Sequence, residues 1–383
     1  MVDLLGKSKE ELRAFSVALG EPAYRGGQIY HALYAERKFE FASMTNLPVT
    51  LRERLAKEAR ITLPEVNQRF VSSDGSVRYL FGLSGTKKSG QKSAPAEALV
   101  AVEAVFIPTE GRQTICISTQ AGCAVDCHFC LTAQLGLIRN LTAGEIVGQV
   151  LMALGAQGGK EKASGLKLGV TQTCDAPQTN VVLMGQGEPL LNFEPVMAAL
   201  RIMLDPEGVG LSPKHVTLST SGIVPGIKQL AQEKVRPKLA ISLNASNDEE
   251  RDALMPINKK YPLKILLEAC KNYPLRPWEH LTFEYVMLGG ANDSPDDARR
   301  IVKLLAPLKR VKVNLIPWNP GELPYRESSP ESIEEFRRIL NDKGVPAFVR
   351  YSRGRDVMAA CGQLALKEVQ SSPLPVLGQN LRG

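Results

Sequence analysis

No run of about 18 consecutive apolar residues occurs in the 383-residue chain, which removes a membrane-spanning helix from the expected elements. Met1 to Lys7 lack the basic-then-apolar profile of a secretory leader, so a cytoplasmic protein is expected. Short-period repeats and low-complexity tracts are also missing. The seven cysteines of a chain read as cytoplasmic do not imply a disulfide scaffold and point instead to metal or redox chemistry. What is present is ordinary for a globular protein: 44% hydrophobic and 23% charged residues, enough for one large α/β domain and a smaller appendage. A formal charge of +7 and a pI near 9.0 suit a polyanionic partner, although many soluble enzymes are as basic.

Helical spacing of apolar residues predicts helices over 9–19, 27–35 and 49–59, a small module whose bland reading is packing or capping. Two strand-like runs, 69–72 and 77–83, flank Ser73-Asp74-Gly75, a hairpin signal. The polar run Ser84 to Ser93 is expected as a loop, and 98–107 as a buried strand. Thereafter strand, loop and helix repeat, with strands expected at 114–119, 180–185, 215–220, 238–243, 281–288, 312–317 and 346–351. Thr142 to Glu145 has capping-box spacing, and Ser294-Pro295 and Ser329-Pro330 place proline where a first helical turn accepts it. The segment 158–178 reads as an irregular insertion, and the tail beyond Ser371 as loosely held. Alternating β and α units imply a parallel sheet, open or curled into a barrel, with its chemistry at the C-terminal ends of the strands.

The strongest signal follows the first core strand: Cys123-Ala124-Val125-Asp126-Cys127-His128-Phe129-Cys130. Three thiolates on one tight loop can hold an iron–sulfur cubane and leave one iron open. Zinc is the alternative, recruiting His128 or a distant cysteine as fourth ligand. C-x3-C-x2-C with an aromatic residue before the last cysteine resembles the radical S-adenosylmethionine (SAM) signature. The resemblance implies a [4Fe-4S] cluster on Cys123, Cys127 and Cys130, whose open iron binds SAM and cleaves it reductively to a 5′-deoxyadenosyl radical. It also implies a partial (β/α)6 barrel, with the N-terminal helical module and the hairpin as additions.

Further groups gather at the strand ends. Asn180 to Pro189 reads as a buried strand running into a glycine turn, in which Gly187 allows close approach and Glu188 offers acceptors to the SAM ammonium. An ordinary strand-to-helix turn has the same pattern, but this one resembles the "GEP" element of radical-SAM enzymes. Ser219, the run Ser242-Leu243-Asn244, and Asn319 lie at later strand ends, where a barrel mouth binds ribose and adenine. Each is commonplace alone.

Cys116 and Cys361 lie outside the cluster, and a buried small hydrophobe is the default reading of either. Cys174 and Cys270 keep that default. With Cys116 and Cys361 added, the chain resembles over nearly its whole length the bacterial radical-SAM adenine C2-methyltransferases of 23S rRNA and tRNA. Val102 to Pro108, the cluster loop through Leu141, Met255 to Lys260, Phe283 to Leu288 and the segment ending at Cys361 carry the match. The resemblance implies two SAM molecules: one methylates Cys361, and the other yields the radical that takes a hydrogen atom from that methyl group. The resulting carbon radical adds to C2, and Cys116 then releases methylated RNA as a Cys116–Cys361 disulfide. It further implies a flavodoxin-type electron donor; a monomer is the default expectation.

Glu103 is the one carboxylate in the apolar strand 98–107 and occupies the position of the family's proposed acceptor of the C2 proton, the alternative being a structural hydrogen bond. Arg350, Arg353 and Arg355 are either phosphate contacts or a solvated basic loop. Asn244 departs from the histidine of many relatives: it can hydrogen-bond SAM but cannot titrate. A sister class that methylates C8 of the same rRNA adenine shares the cluster and both outer cysteines. The expected division is 1–62 helical, 63–108 hairpin and strand, 109–370 catalytic barrel and 371–383 tail.

Overall fold

A computed structural model describes residues 1–83, 100–155 and 177–364. In chain order its elements are β1 (Val2–Asp3), α1 (Lys9–Ala18), α2 (Tyr24–Tyr34), α3 (Val49–Glu58), β2 (Ala59–Arg60), β3 (Glu65–Val71), β4 (Val77–Leu83), β5 (Val100–Thr109), β6 (Arg112–Cys116), β7 (Gln120–Gly122), α4 (Leu131–Gln134), β8 (Leu137–Asn140) and α5 (Ala143–Gly155). They continue with β9 (Gln178–Leu183), α6 (Phe193–Leu204), β10 (Val216–Thr220), α7 (Val224–Gln232), β11 (Lys238–Ser242), α8 (Asp248–Leu254), α9 (Leu263–Lys271), β12 (Leu281–Met287), α10 (Pro295–Leu305), β13 (Val311–Pro317), α11 (Pro330–Asp342) and β14 (Ala347–Val349). The expected loop at 84–93, most of the insertion at 158–178, Cys174 and the tail lie outside the described residues.

In the N-terminal helices, Ser8 and Glu11 cap α1 reciprocally. The second helix starts at Tyr24, earlier than its spacing predicts, because two glycines inside it do not end it. A side chain at Gly26 would come within 2.3 Å of the Arg13 backbone nitrogen, so the bare glycine is where α1 and α2 touch. The two-residue strands β1 and β2 pair in parallel and are too short to show a period in sequence.

One ten-stranded sheet, in the order β14-β13-β12-β11-β10-β9-β6-β5-β4-β3, organises the rest. The strands from β14 to β6 run parallel, and β5, β4 and β3 continue the sheet antiparallel. The hairpin forms as expected, with Val71 opposite Val77 and Gly75 at φ +83° in the turn. Thr142–Glu145 and Ser294–Asp297 are formed capping boxes at the starts of α5 and α10. In β12, Phe283, Tyr285 and Met287 are fully buried, and Tyr285 packs on Phe336 of α11. The intervening Glu284 and Val286 point to the concave side, where they line a pocket. Residues just after β9 and just after β13 line that same pocket, so the sheet curls around it as a partial (β/α)6 barrel while β3 and β14 stay unjoined. The first core strand stops at Cys116 rather than Thr119. Thr119 and Gln120 turn to donate to the Gln186 carbonyl (2.8 and 3.2 Å), and the chain re-forms as β7 against β8. Among the described residues no helix is long and apolar enough to cross a membrane.

Candidate active site

The chain leaves β7 into the cysteine loop at the C-terminal ends of the parallel strands. Cys123, Cys127 and Cys130 all line the pocket there. Burial pushes the Cys123 thiol up to about 12, with Glu188 and Cys130 adding to it against a hydrogen bond from the Val125 amide. Burial, then Cys130 and Cys123, push Cys127 well above the ordinary thiol range. Crowded thiols of this kind give up protons to a metal, not to water. Cys123, Cys127 and Cys130 place three thiol side chains on one pocket wall, a donor set that suits an iron–sulfur cubane.

The glycine turn after β9 faces this loop. Gly187 has φ +102°, and a Cβ there would sit 2.7 Å from the Gln120 backbone nitrogen, so only glycine lets the turn pack on β7. Gln120, buried and unremarked in the sequence, accepts from the Glu188 amide (2.9 Å) and donates to Asn140 (2.8 Å), locking the turn to the β7–β8 ribbon. Glu188 lines the pocket and is itself buried, which raises its pKa. Its Oε2 accepts from the Ser221 amide (2.7 Å) and hydroxyl (2.8 Å), and its Oε1 from the Leu190 amide (3.0 Å).

Ser219, Ser242, Asn244 and Asn319 line the pocket as well, whereas Leu243 does not. Leu243 is fully buried, and its amide and carbonyl are taken up by the Glu284 carbonyl (2.9 Å) and Arg251 Nε (3.1 Å). Asn244 has φ +58°, a conformation asparagine tolerates, and its Oδ1 accepts from the Val286 amide at 2.8 Å, joining β11 to β12. Asn319 Nδ2 donates to Ser352 Oγ (2.9 Å) and to the Cys361 carbonyl (3.1 Å).

Those bonds belong to a strap that carries Cys361 across the barrel mouth. The Leu131 amide donates to the Gly362 carbonyl (2.8 Å), Thr132 Oγ1 to the Leu364 carbonyl (2.6 Å), and Gln363 Nε2 to the Pro320 carbonyl (2.8 Å). At its other end the β3–β4 turn holds the strap: Asp74 accepts from the Gly354 amide (2.9 Å) and pairs with Arg353, and Asp356 accepts from Ser72 Oγ (2.5 Å). Arg355 pairs with Glu327, and Arg350 donates to Asn314 (3.1 Å), so all three loop arginines have partners inside the protein.

Cys361 lines the pocket and is exposed to solvent. Protein still crowds the thiol: burial, then Glu284 and Cys130, push it up to about 11. Because water reaches the residue, this crowding tempers ionisation without forbidding it. Cys116 is buried in an apolar cluster with Val105, Val357, Ala359 and Leu364, on the strap's inner side. Burial, then the neighbouring Cys361, raise its thiol well above the ordinary range. Cys270 is buried in the main core and pushed up to about 12 by that burial, as a small hydrophobe would be.

Glu103 lies beneath the glycine turn, not on the pocket wall. It is fully buried against Arg78, with which it forms an ion pair, and Gln186 Nε2 approaches its Oε2 at 3.3 Å. Ser118 Oγ bridges its carbonyl (2.6 Å) to the Gln186 amide (2.8 Å). One pocket carboxylate escapes the sequence reading. Glu284 is buried in β12, accepts from Asn314 Nδ2 (3.0 Å), and is raised to about 6 chiefly by burial. Its signal, a carboxylate inside an apolar strand, is the one that singles out Glu103.

The family model described as Ribosomal RNA large subunit methyltransferase N-terminal domain matches residues 2–61, and that of the Radical SAM superfamily matches residues 169–305. The chain is 47% identical over 369 residues to a probable dual-specificity RNA methyltransferase RlmN of Koribacter versatilis, covering 92% of this chain and 98% of the relative. It is 44% identical over 376 residues to the dual-specificity RNA methyltransferase RlmN of Cereibacter sphaeroides, covering 95% and 89%. A radical SAM methyltransferase from Sphaerobacter thermophilus, of known crystal structure, superposes with a TM-score of 0.83 at 38% identity, covering 95% of this chain and 99% of that one.

Proposed function

Because the chain belongs to the RlmN family of dual-specificity RNA methyltransferases within the radical SAM superfamily, we propose that it methylates C2 of an adenine in 23S rRNA and in tRNA next to the anticodon. The observation that carries the reading is the strap: it sets Cys361 over the pocket that the three-cysteine loop lines, with Cys116 beside it.

In this reading Cys123, Cys127 and Cys130 hold a [4Fe-4S] cluster, and Glu188, Gly187 and the strand-end residues Ser219, Ser242, Asn244 and Asn319 hold SAM, whereas Leu243, away from the pocket and with its backbone bonded within the protein, does not. The cluster and SAM supply the radical that takes a hydrogen atom from a methylated Cys361. Cys361 acquires that methyl group beforehand, when its thiolate displaces it from a first SAM. The Cys361 methylene carbon then bonds to C2 of the adenine, and the adduct radical would give up one electron to the cluster before the C2 proton leaves. Glu103, buried beneath the glycine turn against Arg78, accepts the C2 proton. Cys116 attacks the Cys361 sulfur, which frees the methylated base and leaves a disulfide for an external reductant. The protein is proposed to work as a cytoplasmic monomer with a flavodoxin-type donor.

The test is to incubate the anaerobically reconstituted protein with SAM, a reductant and protein-free 23S rRNA, then identify the modified nucleoside by mass spectrometry. 2-Methyladenosine, lost on Cys361→Ala, is expected. 8-Methyladenosine would move the chain to the sister regiochemistry, and SAM cleavage without any methylated adenosine would sink the RNA substrate.

A further inference from the structure

Behind the pocket floor lies a buried cation that the reaction above does not use. Arg251, on α8, is fully buried. Its Nε donates to the Leu243 carbonyl (3.1 Å), Nη2 to the carbonyls of Ser221 (2.7 Å) and Ser242 (3.0 Å), and Nη1 to Asn258 Oδ1 (2.9 Å). All four acceptors are neutral. The nearest carboxylates stand one amide away: Asn258 Nδ2 donates to Asp248 (2.9 Å) and Asp252 (2.8 Å). A guanidinium so placed satisfies its hydrogen bonds but leaves its charge poorly compensated, an arrangement that costs several kcal/mol in a low-dielectric interior.

The position says what the charge faces. Ser221 and Ser242, whose carbonyls it grips, line the pocket. The His128 amide donates to the Leu254 carbonyl (3.0 Å), tying the three-cysteine loop to the end of the helix that carries Arg251. A guanidinium stays charged at neutral pH, so the side chain is a fixed positive charge behind the wall formed by Ser221 and Ser242, on the helix to which the three-cysteine loop is tied.

We propose that Arg251 is the built-in counter-charge of the iron–sulfur centre, stabilising its reduced state from the side opposite the substrate. The proposal rests on the reading that the three cysteines hold a cluster. One-electron reduction makes a centre already carrying three thiolates more negative. A buried cation behind the pocket wall, screened little by water, favours that state and raises the reduction potential. A purely structural arginine, present only to gather the strand-end carbonyls, would leave the potential alone.

The experiment compares wild-type, Arg251→Lys and Arg251→Met proteins after anaerobic reconstitution, by dye-mediated redox titration followed through the EPR signal of the reduced cluster. Arg251→Met is expected to shift the midpoint to lower potential, and Arg251→Lys, which keeps the charge but loses the fork of hydrogen bonds, to stay near wild type. A wild-type midpoint in Arg251→Met overturns the proposal. Should Arg251→Met fail to fold, Asp252→Asn decides, because it removes a competing negative charge while leaving an acceptor for Asn258. Its midpoint is expected to rise, and an unmoved midpoint overturns the proposal. Wild-type protein without iron–sulfur absorption after reconstitution overturns the cluster reading as well, a failure visible before any variant is made.

Discussion

Asn319 Nδ2 donates to the Cys361 carbonyl at 3.1 Å, so the end of β13 sets the position of the loop that bears the proposed methyl acceptor. The same amide reaches Ser352 Oγ, and one side chain thus pins both ends of the strap. Asn319→Ala should speed hydrogen–deuterium exchange across 352–363. Turnover should fall on the order of 10²-fold, the usual consequence of moving a reacting group by an ångström. Unchanged exchange with full turnover would mean that the bonds from Leu131, Thr132 and Gln363 suffice.

The Glu103–Arg78 pair makes a prediction that separates chemistry from stability. Both side chains are buried, so removing either partner alone takes away the opposite charge beside the other, at a cost of about 3–5 kcal/mol. Arg78→Met and Glu103→Leu should each lower the melting temperature strongly, and the double variant should be more stable than either. Glu103→Gln, which keeps the shape, should stall turnover after the RNA adduct has formed. Normal product release by a folded Glu103→Gln protein would remove Glu103 as the proton acceptor.

Much of this site is legible in sequence, and what is not has a common cause. The cysteine loop, the glycine turn and the strand ends declare themselves because each is local: spacing within a few residues determines where the side chains go. The buried arginines do not. Arg78 and Arg251 read as surface residues by type, and only their long-range partners, such as Glu103 on the strand paired with that of Arg78, show otherwise. Arg353 and Asp74, 279 residues apart, are likewise invisible as a pair, so the basic loop before Cys361 reads as either phosphate contacts or a solvated loop when its charge is in part spent inside the protein. Leu243 illustrates the converse: a residue at the right strand end whose backbone is already fully bonded. Gly26 looks like a helix boundary because the helix it touches cannot be seen from its own neighbours.

Gly187→Ala should cost more than about 1 kcal/mol. The new Cβ would combine a φ of +102° with a 2.6 Å approach to Gln120 Cβ. Displacement of the glycine turn should also weaken SAM binding, measured by calorimetry on the reconstituted protein. A Gly187→Ala protein with wild-type melting temperature and SAM affinity would show that the turn can repack.

Glu284 gives a pH signature. Its folded pKa of about 6 stands above the ordinary 4.5, so the folded state favours the protonated form. The resulting penalty is absent below pH 4.5 and complete above about pH 6, and it amounts to about 2 kcal/mol. Wild-type stability should therefore fall across that window relative to Glu284→Gln. In the cluster-free protein, Glu284→Gln should also let iodoacetamide alkylate Cys361 at lower pH, since the carboxylate helps push that thiol up to about 11. Superimposable pH profiles would mean that Glu284 does not reach the Cys361 thiol.

The most direct measurement of the central claim is the fate of RNA on Cys116→Ala. The account predicts that this variant, incubated anaerobically with SAM, a reductant and RNA, accumulates a covalent protein–RNA species on a denaturing gel. That species should be absent when Cys361→Ala is added. Multiple turnovers of methylated RNA by Cys116→Ala, with no adduct, would contradict the pairing of these two thiols in one reaction.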